Sequence, residues 1–450
     1  MNVSFRSITG GLIVMAITSI VSTFISTRRA AILPVPLTAM SPSEAIAQNW
    51  PRFRGENGLG QCDDVSIALP WSNTWQAQLP GTGNSSPIVW ADRVFIQSAN
   101  SNDATQFVSC HRAGTGDKIW HREFASQPYP IHARNTFASS TPAADAQHVY
   151  LCYGTPDNIT LLALNHDGED VWRRDIGPFA SQHGFGVSPM VYGDLVVLAG
   201  QQLEAGRENS AVSGPDVDAA SRPEGSYIMA VDRLTGNTRW ITPRGGDKAS
   251  YSVPCVFAPE GAPPQLICCN TIQGMFALSP SDGHELWAHP VFDKRTVSSP
   301  LLVGDFVLGT CGSGGGGNYL VACRPAAGGT ESYRVENQAP YVPTPVASGN
   351  LVFLWSDRGV VSCVDVQTGE AIWRERVGGN YSSSPVRVGQ QLVGVSEDGR
   401  VVVLSATREF ARIMEKDLGE PTRATPAIAS GKIYFRTDTQ LLAVALQATK

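Results

Sequence analysis

Short apolar runs separated by tight polar turns recur along most of the chain. The stretch "SSPIVWADRVFIQSA" (85–99) reads as strand, turn, strand, and "FVSCHRAGTGDKIWHREF" (107–124) supplies another strand, turn, strand. Two such hairpins in succession predict a unit of four short antiparallel strands. The unit repeats. "AVDRLTGNTRW" closes on Trp240, "ALSPSDGHELW" on Trp287 and "CVDVQTGEAIW" on Trp373, each with a turn glycine just before the aromatic. That aromatic position is filled in turn by Trp120, Trp172, Trp240, Trp287, Tyr333 and Trp373, with Met414 weakly in phase.

A second landmark runs in step. Prolines at 87, 142, 189, 254, 300, 345, 385 and 426, mostly following Ser or Thr, open the first strand of eight units spaced mostly 40–55 residues apart. Self-similarity at this period is the signature of a propeller or solenoid. Proline suits a strand start, where no ladder donor is required. Glycine supplies the positive φ of the hairpin turn. The large closing aromatic predicts adhesion between neighbouring sheets. The eighth unit, "AIASGKIYFRTDTQLLAVAL", ends without its last strand. The segment "WSNTWQAQL" around Trp75 is the candidate to complete it, closing a ring and hiding both edges. The pattern therefore predicts an all-β, eight-bladed propeller. Seven blades is the alternative, because the unit containing "VVVLSATREFARIM" has lost most of its turn signature.

Composition agrees with many short strands. The 450 residues include 44 Gly, 30 Pro and 10 Trp, with only 16% charged. A net charge of -6 presents no basic face for nucleic acid. The amino end differs: "ITGGLIVMAITSIVSTFIS" follows Arg6, and Ala45-Ile46-Ala47 offers a small-residue cleavage site. Residues 1–47 thus read as an export signal or a retained membrane anchor, 48–70 as an extension and 71–450 as the propeller. This predicts an exported protein of the periplasm or cell envelope. The nine cysteines show no metal-ligand spacing.

The pattern Ala-x-Asp-x-x-Thr-Gly-x-x-x-Trp resembles the tryptophan-docking repeat of the pyrroloquinoline quinone (PQQ)-like propeller family, over roughly residues 71–446. "WPRFRG" (50–55) is similar to the head of short PQQ-like repeat proteins. The resemblance implies an eight-bladed propeller. It leaves activity open, since the family includes quinoprotein alcohol dehydrogenases and non-catalytic scaffolds such as BamB. In the enzymes, PQQ sits with calcium on an acidic residue and an amide, beside a catalytic Asp and a vicinal disulfide. Cys268-Cys269 invites comparison with that disulfide. Both lie inside the regular strand pattern "QLICCNTIQGMFAL", however, which predicts two buried thiols on opposite faces. No acidic residue and amide match the calcium motif. No catalytic or metal-binding residue is therefore assigned.

Loops preceding each Ser/Thr-Pro pair should converge at one end of the channel. They contribute Asn84, His132, Arg134, Asn135, His183, Tyr251, Arg295, Tyr341, Tyr381 and Arg423. These are a candidate site for an anionic or quinone-like ligand or a peptide, with plain polar capping of strand ends as the simpler reading. The polar insertion 201–226 reads as a solvated flap, and "GSGGGGN" (312–318) as a flexible connection without the Lys-Ser/Thr of a phosphate loop. The leading expectation is a monomeric, non-catalytic scaffold binding a cell-envelope protein or peptide, without cofactor. The alternatives are a quinoprotein dehydrogenase using PQQ and calcium, and a hydrolase or lyase on the His132/His183 rim.

Overall fold

Each apolar run forms a strand, and the strands gather four at a time into eight antiparallel sheets spanning 88–124, 143–177, 190–244, 255–289, 301–336, 346–376, 386–417 and 427–448 with 73–78, here blades 1 to 8. The computed structural model describes residues 49–203, 225–246, 248–337 and 339–449. The predicted leader and most of the insertion within blade 3 lie outside the described residues. Eight blades are present. The unit with the eroded turn signature is a complete four-stranded sheet ending in Arg412–Asp417.

The ring closes as the repeat pattern requires. Asn73–Gln78 pairs antiparallel with the final strand Gln440–Ala448, Trp75 opposite Ala443 and Gln78 opposite Gln440. Blade 8 is thus built from both ends of the propeller, and neither edge of that last strand is left exposed.

The closing aromatics bridge each blade to the next. The indole N–H of Trp75 donates to Ala113 O (3.0 Å), Trp120 to His166 O (2.8 Å), Trp172 to Arg233 O (3.0 Å), Trp240 to Pro280 O (2.9 Å) and Trp373 to Thr407 O (3.2 Å). In blade 5 the phenol of Tyr333 donates to Val366 O (2.6 Å). Trp287 departs, giving its N–H to Gln265 Oε1 within its own blade (2.8 Å). Every one of these rings except Trp373, whose neighbouring turn lacks a glycine, slides beneath the turn glycine of the next blade. At Gly116, where φ is +79°, an added Cβ would stand 2.5 Å from Trp75 Cε3, so position and conformation both select glycine.

A hydrogen-bonded belt ties the inner strands together. The residue preceding each repeat proline offers its hydroxyl to the backbone N–H at the same position in the blade before it. Ser86 N donates to Thr141 Oγ1, Thr141 N to Ser188 Oγ, Val253 N to Ser299 Oγ and Ser299 N to Thr344 Oγ1, each at 2.9–3.0 Å. Thr344 N continues to Ser384 Oγ, Ser384 N to Thr425 Oγ1 and Thr425 N to Ser86 Oγ, again at 2.9–3.0 Å. The belt lacks one link, because Val253 has no hydroxyl to offer Ser188.

The segment from Trp50 to Ile67 runs through the ring as a strap. Trp50 exchanges backbone bonds with Val89 of blade 1, and Pro51 O accepts from Ala144 N of blade 2 (2.7 Å). Arg52 reaches Pro254 O of blade 4 (2.7 Å), and Asn57 bonds both N and O of Val256. Arg54 spans Pro345 O of blade 6 (2.6 Å) and Pro385 O of blade 7 (2.8 Å). Gln61–Cys62 then adds parallel to blade 7, and Val65–Ile67 antiparallel to blade 8. Arg52 and Arg54 are 4% and 1% exposed, and burial lowers their guanidinium pKa to about 10 and about 9. Both still carry charge at neutral pH. The carbonyls of the repeat prolines hold that charge where water cannot.

A cation-lined bowl at the end of the channel

The strap closes the channel, and the space left at the loop-bearing end is a bowl of about 690 Å3. Phe53 of the strap lines it together with six belt residues, Ser86, Thr141, Ser188, Thr344, Ser384 and Thr425. Among the described residues these six hydroxyls accept a backbone N–H and donate to no acceptor.

Nine of the ten residues predicted from the converging loops line this bowl: Asn84, His132, Arg134, Asn135, His183, Tyr251, Arg295, Tyr341 and Arg423. Tyr381 does not. It is 1% exposed and packs its ring 5.3 Å from that of Trp355 in the core between blades 6 and 7. Its side chain turns from the loop into the sheet interface because a phenol there buries more apolar surface than it would at the rim.

Several lining residues hold the loops together. Asn84 Nδ2 donates to Arg134 O (3.1 Å) and Ser139 Oγ (3.2 Å), and Asn135 Nδ2 to Phe185 O (3.1 Å). Tyr251 donates its hydroxyl to Gly184 O (2.9 Å), and burial pushes its pKa upward. Arg423 pairs with Glu397 at 3.2 Å, while Ser382 donates to the same carboxylate (2.6 Å). Through these bonds Asn84 and Asn135 brace neighbouring loops.

The histidines form a distinct cluster. The rings of His132 and His183 lie 4.8 Å apart, and Arg295 donates to His183 Nε2. That bond fixes the remaining proton on Nδ1, so His183 is neutral. Burial, the Arg295 guanidinium and His132 all push its pKa below the usual imidazole range.

Sequence reasoning missed Phe53, Lys248, Lys294 and the belt hydroxyls, all of which line the bowl. The hydroxyls were legible in the repeated Ser/Thr-Pro pair. Phe53 was not, since nothing in "WPRFRG" says that the segment enters the channel. Arg134, Lys248, Lys294, Arg295 and Arg423 make the wall strongly cationic, and among the described residues no Asp or Glu lines it. This lining does not fit a calcium centre, which needs several anionic or neutral oxygens converging on the ion and is repelled by five nearby cations. Cys268 and Cys269 are free buried thiols. They lie on opposite faces of one strand, Cys268 toward blade 3 with Trp240, Cys269 toward blade 5 with Val307.

The fold and the repeat define a PQQ-like eight-bladed propeller. Within that class, the sequence model of the family described as outer membrane protein assembly factor BamB matches residues 104–375 and 317–448, and the chain belongs to that family. The outer membrane protein assembly factor BamB of Burkholderia pseudomallei (strain K96243) is 22% identical over 409 residues, covering 84% of this chain and 92% of that protein. The crystal structure of BamB from Moraxella catarrhalis superposes with a TM-score of 0.59 at 15% identity, over 83% of this chain and 99% of that one. The quinohemoprotein alcohol dehydrogenase of Comamonas testosteroni gives 0.61 at 12% identity, over 88% and 80%. The two structural likenesses speak to the fold alone.

Proposed function

We propose that this chain is an exported, non-catalytic propeller that serves as a protein-binding scaffold in the cell envelope, in the assembly of outer-membrane proteins. The observation that carries this reading is the match of the assembly-factor family over most of the propeller. The bowl supports it. A cationic wall around Phe53 and a row of hydroxyls suits an acidic, partly apolar segment of a partner, and among the described residues the lining offers the calcium of the quinoprotein enzymes no oxygen cage. The predicted leader, whether cleaved or kept as an anchor, belongs to the same proposal.

The test uses the full-length chain as bait in envelope extract. Enrichment of outer-membrane assembly proteins that is lost in Arg295→Glu/Arg423→Glu is the expected result. Equal recovery with the wild type and with that variant removes the bowl from the proposal, and recovery of no envelope protein removes the scaffold. A titration with PQQ and calcium separates the dehydrogenase reading. No tight absorbing complex is expected at micromolar PQQ, and one that supports dye-linked alcohol oxidation would replace this proposal.

A further inference from the structure

We propose that a second, smaller cavity beside the bowl binds a phosphoryl anion. It lies between the glycine-rich loop 312–318 and blade 6, and has a volume of about 310 Å3. At about 30 Å3 per water molecule this is room for roughly ten waters, the scale of a phosphate or diphosphate group with part of its hydration.

Four guanidiniums line the cavity. Arg134 comes from the loop between blades 1 and 2, and Arg358 from the turn after the strand Leu351–Trp355. Arg374 and Arg376 lie two apart on the strand Ala371–Arg376, on one face by strand alternation. Three separate segments therefore bring arginine to one concavity. Among the described residues none of the four pairs with a carboxylate, whereas arginines elsewhere on this acidic protein commonly do, including Arg112, Arg233, Arg387 and Arg412.

Among the described residues one carboxylate lines the cavity, and its oxygens are already engaged. Asp357 accepts the backbone N–H groups of Tyr341 (2.7 Å) and Val342 (3.1 Å), so its role is to hold that loop. Four cations against one anion match a multiply charged oxyanion better than a single carboxylate.

The glycine loop supplies the complementary backbone. A Cβ added at Gly314 or Gly316 would meet nothing within 4 Å, so that side of the loop is open, while Arg358 Nη2 donates to Gly314 O (3.3 Å). The amides of Gly314 and Gly315 donate to no acceptor among the described residues. Exposed amides beside planar guanidinium forks are the donor set that binds tetrahedral oxyanions at several oxygens together. Lacking the lysine of a nucleotide-binding loop, the sequence "GSGGGGN" points to phosphate recognition through arginine instead.

Calorimetric titration of the full-length chain with inorganic pyrophosphate tests this. Saturable binding is expected, weakened at least tenfold in Arg374→Ala/Arg376→Ala and changed less than about twofold in Arg408→Ala, an exposed arginine paired with Asp365 on another blade. Unchanged thermal melting of the double variant shows that its fold is intact. Co-sedimentation with phosphatidylcholine vesicles, with and without phosphatidic acid, identifies the source. Binding to phosphatidic acid that is lost in the double variant assigns a lipid headgroup, and pyrophosphate binding alone assigns a soluble phosphate. The proposal is overturned by absence of both at millimolar pyrophosphate, or by a loss in Arg295→Ala that leaves the double variant unaffected, which would put the anion in the bowl.

Discussion

The backbone N–H of Thr425 donates to Ser86 Oγ at 3.0 Å, joining the last blade to the first across the seam where the two ends of the propeller meet. The same bond, made by the same repeat position, recurs around the channel except where Val253 replaces the hydroxyl. The belt thus orders the inner strands and leaves a row of hydroxyl protons facing the bowl.

The belt predicts an asymmetry between two substitutions. Ser86→Ala leaves the buried N–H of Thr425 unpaired and should lower stability by about 1–3 kcal/mol. Val253→Thr restores the missing link to Ser188 and should stay within about 1 kcal/mol of the wild type, whereas Val393→Thr, fully buried with no belt position to fill, should be clearly destabilising. Urea unfolding of the three variants checks this. Equal losses at Val253 and Val393 would show that the belt geometry does not extend to that blade.

At the other edge of the seam, Trp75→Ala removes the indole that bridges blade 8 to blade 1 and should cost about 3–5 kcal/mol. Gly116→Ala should be destabilising by about 1–3 kcal/mol, because it adds a methyl group against the same ring at a positive φ. Thermal melting of the two singles and the double measures their coupling. The double should cost less than the sum, since both damage one contact.

The strap predicts separate effects for neighbouring residues. Arg54→Ala leaves the carbonyls of Pro345 and Pro385 without their donor and should destabilise by several kcal/mol, in the range of about 3–5. Phe53→Ala opens the bowl toward the strap and should change ligand or partner binding more than melting temperature. A strap that merely lay on the surface would show neither effect.

Stability should fall on mild acidification. Burial is the leading cause that holds His111, His148 and His183 below the usual imidazole pKa of 6.5 in the fold. The unfolded chain therefore takes up protons first. The stability these neutral imidazoles contribute is present above pH 6.5 and is lost as pH drops below it toward their folded values. For the buried His111 the slope approaches about 1.4 kcal/mol per pH unit where the imidazole is protonated only on unfolding, and the part-exposed His148 and His183 contribute less because solvent screens them. His111 is 1% exposed and donates its Nδ1–H to Gly116 O (3.0 Å) beside the Trp75 contact, so His111→Gln should flatten part of the decline. Denaturant midpoints between pH 5 and 8 give the measurement, and a curve that rises on acidification would contradict it.

The repeat in the amino-acid sequence determined the fold. Turn glycines, strand-opening prolines and closing indoles are local requirements of each blade, so eight copies are visible without coordinates, and the missing strand of the eighth could be sought at Trp75. The cationic loops were legible for the same reason, being fixed in register by the prolines that follow them. Tertiary structure alone decided which way each loop side chain turned, sending Tyr381 into a sheet interface and nine others into the bowl. It also decided that "WPRFRG" threads the ring. Two arginines in a short aperiodic segment carry no signature of burial, and they become buried only because eight blades present converging carbonyls that no single repeat contains.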